Sequence, residues 1–311
     1  MTTTKWAQPT GIPAGNGTVV TVGTFDGVHQ GHWAVLQTIK ARAEATGRRS
    51  VLVTFDPHPL RIVRPEHAPP LLTTPVEKKE ILAESGLDYA VFLTFNEALS
   101  QYGPRRFVEE ILVDRIGMRE LVIGYDHGFG RDREGSPEML RKIGRELDFH
   151  VDVVTPVEAL DDAVSSTRIR GLVGEGRVAE AATCLGRAYS IRGIVVRGEQ
   201  RGRELGFPTA NLKVVGGDKI IPPEGIYAVK GVLRRGTWKG ALHLGPRPTF
   251  KGSPPSVEVH LIDFEGDIYG EEMRVDFIEY LRPISPFTTV QALVDQIRAD
   301  VDRAREAVQG V

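Results

Sequence analysis

The 311-residue chain has a single cysteine, Cys184, which excludes an intramolecular disulfide and any multi-cysteine zinc site. Cys184 lies in the apolar run Ala181-Ala182-Thr183-Cys184-Leu185, a setting for a buried, inert thiol. Neither charge dominates. Thirty-nine Lys and Arg face 41 Asp and Glu, a formal net charge of -2, without the basic excess of a dedicated non-specific DNA binder or a polybasic membrane-surface protein. No apolar run approaches the roughly 20 residues that span a bilayer. Residues 1–17 are polar and rich in Pro and Gly, without the apolar centre of a signal peptide, so the expected compartment is the cytoplasm. There is no internal repeat and no low-complexity tract. At 41% hydrophobic residues there is ample material to bury, which excludes disorder over most of the chain. With domains of roughly 100–200 residues, the length predicts two.

The two halves differ in period. Strand-like runs at 18–24, 50–55, 89–94, 120–124 and 150–155 alternate with helical patterns at 33–45, 76–85, 105–116 and 137–147. Strands separated by helices imply βαβ units and a parallel sheet, whose ligands bind beyond the carboxyl ends of the strands. Short helical segments follow at 168–173 and 178–185. After them come runs at 190–196, 226–234, 237–244, 257–264 and 273–281, joined by Gly/Pro/Arg turns with no helix between. That pattern predicts an antiparallel sheet or barrel. A helix over 290–308 closes the chain, with Thr288 and Gln291 at capping-box spacing and an apolar stripe of Val290, Leu293, Val294, Ile297 and Val301. The expected division is 1–184 and 185–311.

Four segments of the first half carry chemistry. Gly23-Thr24-Phe25-Asp26-Gly27-Val28-His29-Gln30-Gly31-His32 follows the first strand and opens the first helix. A helix amino terminus offers free N–H groups to a phosphate, and two histidines three apart face the same anion. The plain alternative is a glycine-rich turn with two solvated histidines. Thr54-Phe55-Asp56-Pro57-His58-Pro59 follows the second strand, and Gly124-Tyr125-Asp126-His127-Gly128-Phe129-Gly130 the fourth; Ser165-Ser166-Thr167-Arg168-Ile169-Arg170 lies beyond the last. In the second half, the glycines of Gly198-Glu199-Gln200-Arg201-Gly202-Arg203-Glu204-Leu205-Gly206-Phe207-Pro208-Thr209-Ala210-Asn211-Leu212 allow backbone N–H groups to converge on phosphates. In Val257-Glu258-Val259-His260-Leu261, strand alternation sends Glu258 and His260 to one face.

These segments resemble, in order, those of the prokaryotic bifunctional riboflavin kinase/FAD synthetases. The resemblance implies a Rossmann-like α/β nucleotidylyltransferase domain followed by an antiparallel β-barrel riboflavin kinase domain with a C-terminal helix. It implies that riboflavin and ATP give FMN and ADP in the second module, and that FMN and a second ATP give FAD and pyrophosphate in the first. His29 and His32 would stabilise charge on the nucleotide phosphates, and Glu258 would accept the proton of the flavin hydroxyl. Gly23, Phe25, Gly31, Asp126, Ser166, Thr167 and Arg170 would bind nucleotide in the first module, and Gly198, Gly202, Thr209 and Asn211 in the second. His58, Pro59 and Arg282 would contact flavin, and Thr209 and Asn211 would hold Mg²⁺. ATP, riboflavin and FMN are then substrates, FMN and FAD are products rather than prosthetic groups, and neither nucleic acid nor membrane is an expected partner. The sequence departs from the family at His127, where an aromatic residue is commoner, and at His243, where Asn is. A different nucleotidylyltransferase with a fused barrel would leave the GFPTAN and VEVHLIDF segments unexplained. A flavin-binding regulator with decayed catalysis would have lost His29, His32, Asn211 or Glu258, and all four are present.

Overall fold

A computed structural model describes residues 5–7, 12, 15–125, 135–198, 201–245 and 256–309. Contacts divide it into two compact units, Met1–Ser166 and Thr167–Val311.

The first unit is built on a six-stranded sheet of order β1-β4-β3-β2-β5-β6. Its strands are β1 (Lys5–Ala7), β2 (Thr18–Val22), β3 (Arg49–Asp56), β4 (Tyr89–Thr94), β5 (Met118–Gly124) and β6 (His150–Val154), and every pairing is parallel. Five of the six are the expected strands, and β1 adds a short edge beside β4. The helices are α1 (Gln30–Thr46), α2 (Leu60–Val63), α3 (Pro75–Ala83), α4 (Glu97–Ser100), α5 (Pro104–Phe107), which runs into a π-helical stretch at Val108–Val113, and α6 (Pro137–Leu147). All five residues of β2 are buried, because the sheet is covered on both faces. Val20 and Val22 join the core with Phe107, Leu112, Leu140 and Ile143, whereas Val19 packs with Leu36, Ile39 and Leu82 from α1 and α3. The chain runs outward from β2 through β3 to β4, then returns to place β5 on the other side of β2. The loop after β2 therefore lies at the switch point of the sheet, the favoured ligand position in such folds. A hairpin of β7 (Glu158–Ala159) and β8 (Asp162–Ala163) completes the unit.

The second unit begins within α7 (Ser166–Gly174), at Thr167, continues through α8 (Val178–Leu185), then forms a closed barrel of order β10-β13-β12-β11-β14-β9. Its strands are β9 (Tyr189–Val196), β10 (Ala210–Val214), β11 (Gly225–Leu233), β12 (Gly236–Gly245), β13 (Ser256–Leu261) and β14 (Glu272–Arg282), with the short α9 (Arg201–Glu204) before β10. All six pairings are antiparallel. The extra strand relative to expectation is β10, inside the glycine-rich motif. Alternation packs Leu242, Leu244, Val257 and Val259 inward and turns Ala241, His243, Glu258 and His260 outward. Helix α8 buries Val178, Ala181, Cys184 and Leu185 and packs on β9 and β14, so the Cys184 thiol is buried, as expected.

The closing helix, α10 (Val290–Ala307), covers the barrel through Val301 and Ala304, which pack with Ile226, Ala228 and Leu281. Its cap corrects the expectation by one residue. Thr289, not Thr288, accepts the hydrogen bond from the Ala292 N–H at 3.1 Å, and Gln291 instead bonds Asp295. Starting the helix there leaves Val290 67% exposed, outside the packed stripe.

Candidate active sites

In the first unit the two histidines build the start of α1. His29 is the N-cap: its Nδ1 accepts the His32 N–H, and the Nδ1 of His32 accepts the His29 N–H, both at 3.3 Å. This is a capping box made from imidazoles in place of the usual Ser/Thr and Glu. An Nδ1 that accepts cannot carry a proton, so each neutral ring is protonated on Nε2 and donates from that atom. The rings stack at 3.7 Å between centroids, and Phe25 stacks on His32 at 4.5 Å. A side chain at Gly31 would press on the His29 ring, with Cβ 3.2 Å from two of its atoms, and one at Gly23 would meet Phe25 at 3.0 Å.

The loop reaches this geometry under strain. Phe25 and Val28 adopt φ of +48° and +40°, in the region that favours glycine. Such residues cost about 1–3 kcal/mol each and persist where their surroundings over-determine them. The surroundings here are specific. The buried Asp26 carboxylate accepts from the N–H groups of Leu72 (3.0 Å) and Thr73 (3.0 Å) and from the Thr73 hydroxyl (3.2 Å), while Gly27 N–H donates to Thr73 Oγ1 at 3.1 Å. Ser166 Oγ donates to the Asp26 carbonyl at 2.9 Å, which ties Ser166 to the histidine loop. Thr167 is exposed and Arg170 half-buried, one and four residues further along α7. Beyond β3 the Asp56–Pro57 peptide is cis, His58 Nδ1 accepts the Leu60 N–H at 3.2 Å, and Pro59 caps α2. Asp126 and His127 lie outside the described residues.

In the second unit, strand register lines up a row of side chains. Asn211 on β10 pairs with Glu258 on β13, Glu258 with His243 on β12, His243 with Ile226 on β11, and Ile226 with Arg282 on β14. Glu258, His243, Ile226 and Arg282 line a cavity of about 280 Å³ between the barrel and α10, together with Thr209 and Phe207. Thr209 Oγ1 lies 3.5 Å from Glu258 Oε2, in position to donate to it. His260 Nδ1 donates to the Pro208 carbonyl at 2.9 Å and so fastens β13 to the Pro208-Thr209 turn. The glycines serve close approach: a Cβ at Gly198 would overlap the Asn211 amide, and one at Gly202 would overlap the Phe207 carbonyl and crowd Thr209 at 3.3 Å. Burial holds the His243 imidazole below the usual histidine pKa; Arg282 adds to this, and the Glu258 and Glu224 carboxylates oppose it. At pH 7 the ring is neutral. Arg282 is committed to α10, with Nε 2.9 Å and Nη2 2.6 Å from the carboxylate oxygens of the buried Asp300.

Thr209 Oγ1 and the Asn211 amide oxygen are hard oxygen ligands of the kind Mg²⁺ takes, with Gly198 packed closely against Asn211 and Gly202 against Thr209. Among the described residues no cluster of three His, Cys, Asp or Glu side chains could hold a metal. An ion that completes its shell with phosphate and water needs no such cluster.

Sequence reasoning pointed to His29, His32, Thr209, Asn211 and Glu258, which the structure draws together in two groups, but missed Asp26 as a clamp and missed Lys78. The latter is a buried lysine on α3, four residues before the buried Leu82 and thus on the packed face of the helix, which is the signal that could have found it.

Comparison with known proteins covers both units. The FAD synthetase family model matches residues 12–168 and the riboflavin kinase model residues 185–308. Relatives described as bifunctional riboflavin kinase/FMN adenylyltransferase include one from Listeria monocytogenes, 37% identical over 291 residues, 92% of this chain and 91% of its own. One from Pseudomonas fluorescens is 37% identical over 294 residues, 94% of each chain. The Escherichia coli K12 protein is 34% identical over 291 residues, 93% of this chain and 92% of its own. A solved structure described as a macrolide-efflux protein from Streptococcus pneumoniae has a TM-score of 0.88 and 31% identity, covering 97% of this chain and 98% of that one. Among the described residues no helix is long and apolar enough to cross a membrane. With both family models matched in order and relatives aligned over nearly their full lengths, the chain belongs to the bifunctional riboflavin kinase/FMN adenylyltransferase family.

Proposed function

We propose that the chain makes FAD from riboflavin in two ATP-dependent steps, with the module of residues 185–311 phosphorylating riboflavin and that of residues 1–184 adenylylating the FMN. The observation that carries it is the pairing, in one chain, of a histidine-capped helix at the switch point of a parallel sheet with Thr209 and Glu258 on the wall of the cavity between barrel and α10, Asn211 standing opposite Glu258 in the strand register.

In the kinase step the ribityl 5′-hydroxyl oxygen bonds to the γ-phosphorus of ATP, the bond to the ADP oxygen breaks, and Glu258 takes the hydroxyl proton. The cavity beside Glu258 orients the flavin, with Arg282 on its wall. Thr209 and Asn211 would hold Mg²⁺, which supplies charge neutralisation for the transferring phosphoryl group. Gly198 and Gly202 let the backbone approach the phosphates.

In the adenylyl step an FMN phosphate oxygen bonds to the α-phosphorus of ATP and pyrophosphate leaves, with no covalent enzyme intermediate. His29 and His32 donate from Nε2 to the oxygens that gain charge, beside the N–H groups at the start of α1. Gly23, Phe25 and Gly31 shape the nucleotide site, with Asp126, Ser166, Thr167 and Arg170 as further nucleotide contacts and His58 and Pro59 as flavin contacts. The partners are riboflavin, FMN and ATP, and the cytoplasm, where ATP is at hand, is the compartment.

A time course of purified protein with riboflavin, ATP and Mg²⁺, resolved chromatographically, tests this. FMN should rise first and FAD follow after a lag. If riboflavin stays intact and added FMN is not converted either, the proposal fails.

A further inference from the structure

Lys78 projects from α3 into the interior of the first unit and is 8% exposed. Its Nζ donates to the Thr24 carbonyl (3.0 Å), the Phe55 carbonyl (3.2 Å) and Thr54 Oγ1 (3.4 Å). An ammonium has three donors, and all three are used. Thr24 lies in the loop after β2, and Thr54 and Phe55 close β3, so one charge bridges the carboxyl ends of two adjacent parallel strands. Burial pulls the ammonium below the usual lysine pKa, and the Asp26 and Asp56 carboxylates oppose that pull.

The same stretch of chain grips the loop a second time. Leu72 and Thr73, just before α3, hold the Asp26 carboxylate, and Thr73 Oγ1 accepts the Gly27 N–H. Residues 72–78 thus bracket the loop at Thr24 and at Asp26–Gly27. Between and just beyond those anchors stand Phe25 and Val28, the two residues with left-handed backbone. Phe25 stacks on His32, and Val28 leads directly into His29. The strained loop is thus pinned on both sides of Phe25 and directly before Val28.

We propose that Lys78 is a positioning residue for adenylyl transfer: by tying the Thr24 and Phe55 carbonyls together, it holds the loop between β2 and α1 in the shape that sets His29 and His32 against the nucleotide phosphates. The role rests on adenylyl transfer being the chemistry of the first unit. Because its donors are taken up by the protein, Lys78 acts through the loop. Its loss should weaken transition-state contacts more than ground-state binding of ATP.

The test compares Lys78→Met, which matches the stem but cannot donate, with Lys78→Gln, which keeps a donating amide, in the full-length protein. For Lys78→Met, the kcat for FAD formation should fall by about 10–100-fold, the loss that a misplacement of about 1 Å can bring. The KM for ATP should change by less than about threefold, as befits loss of a contact specific to the transition state. Lys78→Gln should recover much of the lost kcat, and FMN formation from riboflavin should stay at the parental rate in both. Should Lys78→Met fail to fold, Thr73→Val takes away the Thr73 Oγ1 bonds to Asp26 and Gly27 while the backbone bonds of Leu72 and Thr73 to Asp26 remain; with the opposite anchor loosened, kcat should fall in the same direction at little-changed KM. Parental kcat in Lys78→Met, or in Thr73→Val, would overturn the proposal. So would a kcat loss that only tracks the fraction of unfolded protein seen by circular dichroism. If the unsubstituted protein forms no FAD from FMN, the assignment of the unit falls, and the role of Lys78 with it.

Discussion

His243 and Glu258 stand opposite each other on β12 and β13, where cross-strand side chains approach to about 5 Å. Burial favours the neutral imidazole in the folded barrel, whereas in the unfolded chain the ring titrates near the ordinary histidine value of about 6.5. Above that pH both states hold a neutral ring and no stability is lost. As the pH falls from there through the lowered folded value, the unfolded chain binds the extra proton and stability declines. Urea unfolding of the barrel unit should therefore weaken between pH 7.5 and 5.5, and His243→Asn should weaken less over that interval. Identical pH dependence in the two proteins would count against a half-buried His243 held neutral by the fold. The sequence singled out His29, His32, Thr209, Asn211 and Glu258 because local spacing sets them apart, and the structure draws each set together, His29 with His32 and Thr209 and Asn211 with Glu258. It did not expose Asp26 as a clamp or Lys78 as a bridge, because their partners lie 46–47 and 23–54 residues away and are joined only by the fold.

Elements followed period where period was strong. The four long helical patterns and five parallel strands of the first unit appear where apolar spacing put them, whereas β1 is three residues long and exists only by pairing with β4. Strand β10 was hidden for another reason: Ala-Asn-Leu-Lys-Val reads as the tail of a phosphate motif, and its strand character comes from lying between β9 and β13. The change of period near Leu185 marks where strands begin, but α8, which precedes it, buries its apolar face on β9 and β14. Fully burying a side chain the size of Val178 is worth about 1.5–3 kcal/mol. A fragment of residues 167–311 should therefore unfold at clearly higher urea than one of residues 185–311, while both make FMN. Equal midpoints would show that α8 adds nothing to the barrel.

Two chemistries share the molecule, and each unit carries its own core, its own loops and its own site. Phosphoryl transfer needs a base and a metal-holding cradle, roles that the proposed function gives to Glu258 and to Thr209 and Asn211 of the barrel. Adenylyl transfer needs donors aimed at a phosphate, a role that the proposed function gives to His29 and His32 at the switch point of the sheet. The claim that these are separate sites with separate machinery is tested most directly by crossing two substitutions with two assays. His32→Ala should lower the FAD-forming kcat by about 10²–10³, the usual loss on removing one such donor, and let FMN accumulate from riboflavin. Glu258→Ala should lower FMN formation by about 10²–10⁴, the contribution of a general base, while added FMN is still turned into FAD. Folded variants in which both activities fall together, or in which each substitution leaves its own step untouched, would contradict the assignment.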